Sequence, residues 1–227
     1  MNSLLSAAGI GKVVDFDPLK DQLYKLDLTA ANKELSNELL DDTDLFSDWI
    51  SGKLEGSKCR YGIGGYNEHR TVYARSAHFD TADEPRRLHL GVDIWGPAGT
   101  KIYNFQEATV HSFKFNDSFG DYGATIILSY VLEGRAFHVL YGHLNLAALD
   151  GLKEGQAVGK GVQFAVFGRK EENGCWPPHL HFQLIMDMEG LKGDYPGVCQ
   201  YSKRAHYLTN CPDPEIFLKH TFQPALA

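Results

Sequence analysis

Five side chains in three short stretches of the chain are of the types that bind metal ions or move protons. They are His89, Asp93, His143, His179 and His181. The first two lie four residues apart and the last two lie two apart, with apolar residues between them. In an extended strand, side chains two or four positions apart point to the same face. Each pair therefore predicts a strand with one face toward a site and the other toward the core.

Imidazole nitrogens and a carboxylate suit zinc, and a catalytic zinc takes three protein ligands and keeps one position open. Because five candidates exceed three, three would bind the ion and two would remain for proton transfer. Bound zinc lowers the pKa of water to about 7, which makes hydroxide available at neutral pH. The competing interpretation is that these are ordinary histidines, since a histidine on an apolar strand is usually a core or surface residue. Spacing alone leaves both interpretations open.

The three stretches, in this order, resemble the lysostaphin-type (LytM-like) zinc peptidase family. The resemblance covers roughly residues 86–186 and rests on three motifs, His89-x-x-x-Asp93, Tyr141-Gly142-His143-Leu144 and Pro178-His179-Leu180-His181-Phe182. It implies that zinc is held by His89, Asp93 and His181. It also implies that His179 is the general base on the water, and that His143 polarises the water or stabilises the oxyanion.

The same resemblance implies a fold and a reaction. The fold would be mainly β, an antiparallel sandwich or barrel of the LytM-like, duplicated-hybrid-motif type. The peptidase domain would span residues 58–227, with a C-terminal tail and a short helix, and residues 1–57 would form a helical extension. The reaction would be zinc-dependent endopeptidase-like hydrolysis, with a peptide or amide as the substrate.

Three further stretches resemble one branch of the family, Gly64–Tyr73, Asn173–Pro178 and Tyr195–Val198. In that branch the module stands beside kinase-like and class III aminotransferase-like domains. This implies an alternative function, a non-catalytic metal- or ligand-binding module that serves an aminotransferase or kinase partner. Histidines for proton transfer argue against it, because binding alone needs only the ligands. A lipoyl- or phosphoryl-carrier module is favoured by the hairpin around Lys160 and by the paired histidines. It ranks last because Lys160 lacks an acidic attachment context and a carrier does not need Asp93.

The chain departs from the cell-wall enzymes of the family at one position. Those enzymes often carry a tyrosine shortly before the first ligand histidine, where this chain has Asp83 to Arg87. Tyr66 or Tyr73 would have to reach the site from further away. The alternation in Arg70–Phe79 predicts a strand leading toward it.

Composition and charge narrow the class of protein. The formal net charge is −7, and residues 1–55 hold five lysines against 11 acidic residues. The sequence has no stripe of basic residues, so nucleic-acid binding is not expected. It also has no apolar run long enough to predict a membrane span. The N-terminus has no basic segment before its short apolar run, so the expected location is the cytoplasm. The four cysteines have no metal-ligand spacing, and reduced thiols are expected.

Helices are predicted on either side of the β-rich part of the chain. Residues 29–40 predict a helix capped by Thr29, and residues 41–54 predict a second helix. The second has an apolar stripe that should pack on the β domain, formed by Leu45, Phe46, Trp49, Ile50 and Leu54. Residues 213–218 predict a terminal helix with proline in its first turn.

Overall fold

Strands account for most of the regular structure. The computed structural model describes residues 9–80 and 83–222. In these residues the strands are β1 Leu23–Leu26, β2 Tyr61–Gly64, β3 Arg86–His89, β4 Val92–Trp95, β5 Lys101–Tyr103, β6 Ala108–Asn116, β7 Gly123–Leu132, β8 Arg135–Leu144, β9 Ala157–Val158, β10 Gln163–Val166, β11 His179–Ile185 and β12 Val198–Gln200. The helices are α1 Asn37–Asp41, α2 Thr43–Ser57, α3 Arg204–Asn210 and α4 Glu215–Phe222.

Eight of these strands form one sheet in the order β1-β2-β4-β11-β8-β7-β6-β9. Neighbouring strands run antiparallel, except for the parallel pair β1–β2 at one edge. The two edge strands β1 and β9 do not pair with each other, so the sheet is open. The prediction of a mainly β, sandwich-like fold is confirmed, and the described residues do not form a closed barrel.

The sheet carries apolar side chains on both faces, since layers cover it on both sides. On one face, Ile94, Ile126 and Phe182 pack with the β5–β10 ribbon and with Phe217 of α4. On the other face, a smaller cluster around Leu90 and Leu140 packs beneath the β3–β12 pair. Because this second cover leaves part of the sheet face free, polar side chains of β4, β8 and β11 have room there.

Helix α2 matches the second predicted helix in type and position. Asp42 caps it by accepting hydrogen bonds from the backbone N–H groups of Asp44 and Leu45. Its stripe is narrower than predicted, because Phe46, Ile50 and Leu54 are buried whereas Leu45 is 51% exposed. The buried part packs against the aromatic cluster that includes Trp95. The terminal helix is also confirmed, as α4.

The predicted helix over residues 29–40 is wrong. The structure has only α1, capped by Ser36 rather than by Thr29. The Thr29 hydroxyl donates to the Asp27 carboxylate, and the Asn32 amide donates to the Asp27 carbonyl. Such local side-chain bonds give the backbone an alternative to the helix.

The predicted strand over residues 70–79 is also wrong. This segment forms two 3-10 turns, Val72–Arg75 and Ala77–Phe79. Ser76 begins the second turn by accepting from the N–H of His78. Val72 and Tyr73 are both buried although adjacent, which a half-buried strand does not permit.

Part of the N-terminal segment, residues 1–57, packs with the β-rich part of the chain. Val13 and Val14 are fully buried in the cluster under the main sheet, and β1 extends that sheet. Residues 1–8 of the predicted extension lie outside the described residues, and the boundary after residue 57 stays a prediction. No helix in the described part of the chain is long and apolar enough to cross a membrane.

Candidate metal centre and active site

Three of the five side chains meet at one point on the sheet face that the β3–β12 pair partly covers. His181 in β11 lies directly across from Asp93 in β4, and His89 ends the neighbouring strand β3. His89 Nε2 lies 3.0 Å from His181 Nδ1 and 3.3 Å from Asp93 Oδ1. His181 Nδ1 lies 3.1 Å from the same oxygen. The three side chains are at most 3% exposed.

The hydrogen bonds on the far sides of the two imidazoles determine which nitrogen carries the proton. His89 donates from Nδ1 to the carbonyl of Gly65 at 2.9 Å. His181 donates from Nε2 to Oε1 of Gln183 at 2.8 Å. The nitrogens that face Asp93 are therefore lone-pair acceptors. Three acceptor atoms then face one another without a proton among them, an arrangement that a cation stabilises.

The spacing of these three atoms fits a small tetrahedral ion. Zinc bonds to nitrogen or oxygen at about 2.1 Å, which places tetrahedral ligands about 3.4 Å apart. The observed separations of 3.0 to 3.3 Å are close to this value. Two imidazole nitrogens and a carboxylate oxygen also form a donor set that zinc accepts in catalytic sites. The residues present therefore fit a zinc ion.

The second carboxylate oxygen of Asp93 is held from behind by a buried arginine. The Arg70 guanidinium donates to Asp93 Oδ2 and, at 2.6 Å, to the carboxylate of Glu68, and Arg70 is 1% exposed. Burial by itself would raise the pKa of the Asp93 carboxyl, but the interactions of this group with His89 and Arg70 outweigh burial and hold the pKa well below 3.8. Arg70 thus presents an ionised Asp93 with one oxygen turned toward the two histidines.

The other two histidines lie beside the trio with their rings close together. The ring centroids of His143, in β8, and His179, in β11, are 4.1 Å apart. Each ring donates from Nδ1 to a backbone carbonyl at 2.7 Å, of Asn173 and Pro177 respectively. The Nε2 atom of each therefore carries the lone pair. Trp95 stacks on the His179 ring at 3.9 Å.

Burial keeps both of these rings neutral. It lowers the pKa of His179 to about 4 and that of His143 well below 6.5. At neutral pH both Nε2 atoms can accept a proton. The backbone of His143 has φ of 61°, a left-handed conformation that is uncommon for residues other than glycine and is found often at functional sites.

Gln183 supports the metal-facing trio, and the sequence reasoning missed it. Its side chain is fully buried, and its amide donates to the Pro196 carbonyl at 3.0 Å while its oxygen accepts from His181. The amide orientation is thus fixed, which fixes the His181 ring as well. The signal was present in the sequence, because positions 179, 181 and 183 of a strand share one face.

Of the two tyrosines that could reach the site, the structure brings only one to it. The Tyr66 hydroxyl donates to the Cys211 carbonyl at 2.6 Å, and Tyr66 does not line the cavity above the site. Tyr73 is buried, lines the cavity above the site and accepts a hydrogen bond from Arg70 at 3.3 Å. Its position follows from the 3-10 turns of residues 72–79, which the predicted strand did not include.

One prediction about local structure near the site is wrong. His89 and Asp93 do not share a continuous strand, because the chain bends at Leu90 and Gly91 and β3 and β4 belong to different sheets. A Cβ atom at Gly91 would lie 2.7 Å from the His181 ring. The glycine therefore lets the bend approach the third member of the trio closely.

One protein family matches the part of the chain that holds these side chains. The sequence model of Peptidase family M23 matches residues 87–192, which include all five side chains. No curated protein matches the chain.

Parts of the chain are similar to solved structures of peptidases. A zinc-containing peptidase from Vibrio cholerae is 25% identical over 43% of this chain and 27% of its own, with a TM-score of 0.34. A putative peptidase M23 from Pseudomonas aeruginosa is 22% identical over 63% of this chain and 51% of its own, with a TM-score of 0.38. The catalytic domain of lysostaphin from Staphylococcus simulans is 19% identical over 76% of this chain and 97% of its own, with a TM-score of 0.43.

The chain thus spans only 27% and 51% of the Vibrio and Pseudomonas proteins. The M23 match supports a metallopeptidase, whereas the branch beside kinase-like and aminotransferase-like domains stays a prediction. The resemblance to the lysostaphin-type zinc peptidases, family M23, is confirmed and rests on residues 87–192.

Proposed function

We propose that the protein is a zinc-dependent hydrolase of peptide or amide bonds. The observation that carries this proposal is the set of three acceptor atoms, on His89, Asp93 and His181, that face one another within 3.3 Å. Two neutral histidines beside them add proton acceptors that metal binding alone does not require. The M23 match supports the same reaction class.

Zinc held by the trio would supply Lewis-acid polarisation of a water molecule and of the amide carbonyl. The protein contributes the orientation of its own ligands. Gly65 and Gln183 fix the two imidazole rings, and Arg70 holds the carboxylate between them. Such supporting bonds keep the ligand atoms in place before a substrate arrives.

His179 is the general base in this proposal. Its Nε2 lone pair accepts a proton from the attacking water, and the proton then passes to the nitrogen of the departing amine. The ring is held for this task by the Pro177 carbonyl on one side and by Trp95 on its face.

The geometry separates the two roles that the family resemblance implied for His143. An oxyanion is stabilised by a hydrogen-bond donor, but the Nε2 atom of His143 is an acceptor because Nδ1 carries the proton. The lowered pKa keeps that tautomer neutral at neutral pH. We therefore assign His143 to hold and polarise the water through Nε2.

The metal is tested first by elemental analysis of the purified protein beside His89→Ala. We expect about one zinc per chain in the wild type and a large loss in the variant, since one of three ligands is gone. His69→Ala, which removes an exposed histidine, is the matched control and should retain zinc. A wild-type protein that takes up no zinc at neutral pH would overturn the proposal.

Turnover is tested with His179→Ala on a mixed-sequence peptide library. The variant should keep its zinc and lose turnover by a factor of about 10² or more, the usual cost of losing a general base. His181→Ala should lose both zinc and turnover. Full hydrolysis by His179→Ala would show that another group is the base, and zinc-loaded wild type without any hydrolysis would favour the accessory binding module.

A further inference from the structure

The site lies at the floor of a cavity of about 390 Å³. Aromatic side chains form much of its wall, among them Tyr73, Phe79, Tyr122, Trp176 and Tyr195. His143 is the most exposed of the five site residues at 6%. A substrate must therefore enter this cavity to bring its amide to the histidines.

One wall of the cavity is the pair of 3-10 turns in residues 72–79, and contacts of residues 76–79 tie it to two other elements. At one end, Arg86 and Arg87 of β3 donate hydrogen bonds to the carbonyls of His78 and Phe79. Between the two turns, the Ser76 hydroxyl donates to the carbonyl of Phe119 at 2.7 Å, in the turn between β6 and β7. This wall therefore contacts both β3 and the β6–β7 turn.

The opposite wall consists of residues 193–198, and it also contacts β3 and the region of the β6–β7 turn. Asn116, at the end of β6, donates to the Gly193 carbonyl at 3.0 Å. Tyr122, just before β7, donates from its hydroxyl to the Tyr195 carbonyl at 3.1 Å. At the far end, the Gly197 carbonyl accepts from Leu90 at 2.9 Å, and Val198 pairs with the last residue of β3.

In the described residues the two walls thus form a ring around the site. They are joined on one side by the β3–β12 pair and on the other by the β6–β7 turn. A groove with two open ends lets a polymer lie across a site, whereas a ring leaves only the outward mouth. The cavity volume falls within the range of about 300 to 1,000 Å³ that is usual for small-molecule pockets.

We propose that the substrate enters this cavity end-on, as a small amide or as the terminus of a peptide. The bond that is cleaved then lies near a chain end, and the interior of a long or cross-linked chain is excluded. The reaction adds one water across the amide C–N bond and gives a carboxylic acid and an amine. This inference rests on the proposed hydrolase function and restricts it, because it replaces endopeptidase cleavage with terminal or small-molecule cleavage.

The experiment compares substrates with and without ends on the zinc-loaded full chain. The probes are mixed-sequence dipeptides, linear decapeptides and head-to-tail cyclic decapeptides of the same composition, and products are identified by mass spectrometry. We expect dipeptides to be cleaved and linear decapeptides to lose residues from an end. Initial cleavage of the cyclic peptides should be about 10²-fold slower, the cost of a misplaced reacting bond.

Each result is decisive. Cleavage of cyclic peptides at rates like those of the linear ones, or of linear peptides mainly at internal bonds, would overturn the end-on inference and leave the hydrolase function intact. No cleavage of any probe by zinc-loaded protein would overturn the hydrolase function and this inference with it. His179→Ala, tested on the same probes, identifies cleavage by a contaminating peptidase, which would persist in that variant.

Discussion

Arg70 illustrates at the residue scale how a charge can be buried beside the carboxylate of Asp93. Its guanidinium bridges Glu68 and Asp93 with almost no access to solvent. Breaking a buried pair leaves an uncompensated charge, which costs about 3 to 5 kcal/mol, whereas a surface pair contributes about 0 to 1 kcal/mol. The bridge therefore couples the stability of the fold to the orientation of Asp93.

We expect Arg70→Ala to lower the free energy of unfolding by about 3 to 5 kcal/mol, because two carboxylates lose their partner. Urea unfolding of the metal-free protein measures this. Arg60→Ala is the matched control, since Arg60 pairs with Asp21 at 2.9 Å while 45% exposed, and it should cost about 1 kcal/mol or less. Equal effects of the two substitutions would contradict a special contribution of the buried bridge.

Gln183 gives a second prediction at this scale, because it acts on the metal only through His181. Gln183→Leu keeps a side chain of similar size but removes the acceptor for His181 Nε2–H. Loss of such a supporting bond typically weakens metal binding by about 10- to 100-fold. Zinc titration against a competing chelator measures the affinity, and Gln163→Leu, at an exposed position in β10, should leave it unchanged.

At the scale of elements, the sequence predicted the site strands better than their surroundings. The spacing of His179 and His181 correctly predicted a strand with both side chains on its site face, since alternation in β11 depends only on local spacing. The bend between β3 and β4 depends on the ring of His181, about ninety positions later, and local spacing cannot encode it. The strand prediction for residues 70–79 failed for a similar reason. Tyr73 and Phe79 are buried by their contacts with Trp176, which lies far away in the sequence.

The bend at Gly91 is therefore a test of element geometry. A methyl group there would meet the His181 ring at 2.7 Å and the Phe182 carbonyl at 2.9 Å. We expect Gly91→Ala to cost about 1 to 3 kcal/mol from overpacking and to weaken zinc binding as the ring is displaced. Thermal unfolding and zinc titration measure both effects.

Gly52 is the matched control for this substitution. It lies within α2, where an added Cβ would meet no atom within 4 Å. Gly52→Ala should stabilise the protein by about 0.5 to 1 kcal/mol, because glycine is a poor helix former. Zinc affinity should not change. If Gly91→Ala changed neither stability nor zinc affinity, the His181 ring would have space to move away from the added methyl group.

At the scale of the whole molecule, the family motifs predict the floor of the site and not its walls. The matched segment, residues 87–192, contains neither of the segments 72–79 and 193–198, although it contributes Tyr122 and Trp176 to the lining of the cavity. Both walls reach the site only because β3 pairs with β12 and because Ser76 meets the β6–β7 turn. Sequence reasoning could identify the five motif residues. It could not predict the shape of the cavity above them, because that shape depends on these long-range contacts.

Burial of the site histidines also makes the stability of the whole fold depend on pH. Burial lowers the pKa of His89 and of His179 from 6.5 to about 4. Between these values the unfolded chain binds more protons than the folded one, so the free energy of unfolding falls as the pH falls. Protonation of Asp93, whose pKa is held below 3.8, lowers the free energy of unfolding further only at a lower pH.

We therefore expect the metal-free protein to lose roughly 2 kcal/mol for each of these two histidines between pH 7 and pH 5. Urea unfolding in the presence of a chelator, at both pH values, measures the loss. His179→Gln should reduce it, because a glutamine side chain does not titrate, whereas His69→Gln, at an exposed position, should leave it nearly unchanged. Equal stability of the wild type at the two pH values would mean that protons reach these rings in the folded state, and that His179 could not then remain a neutral base below pH 6.5.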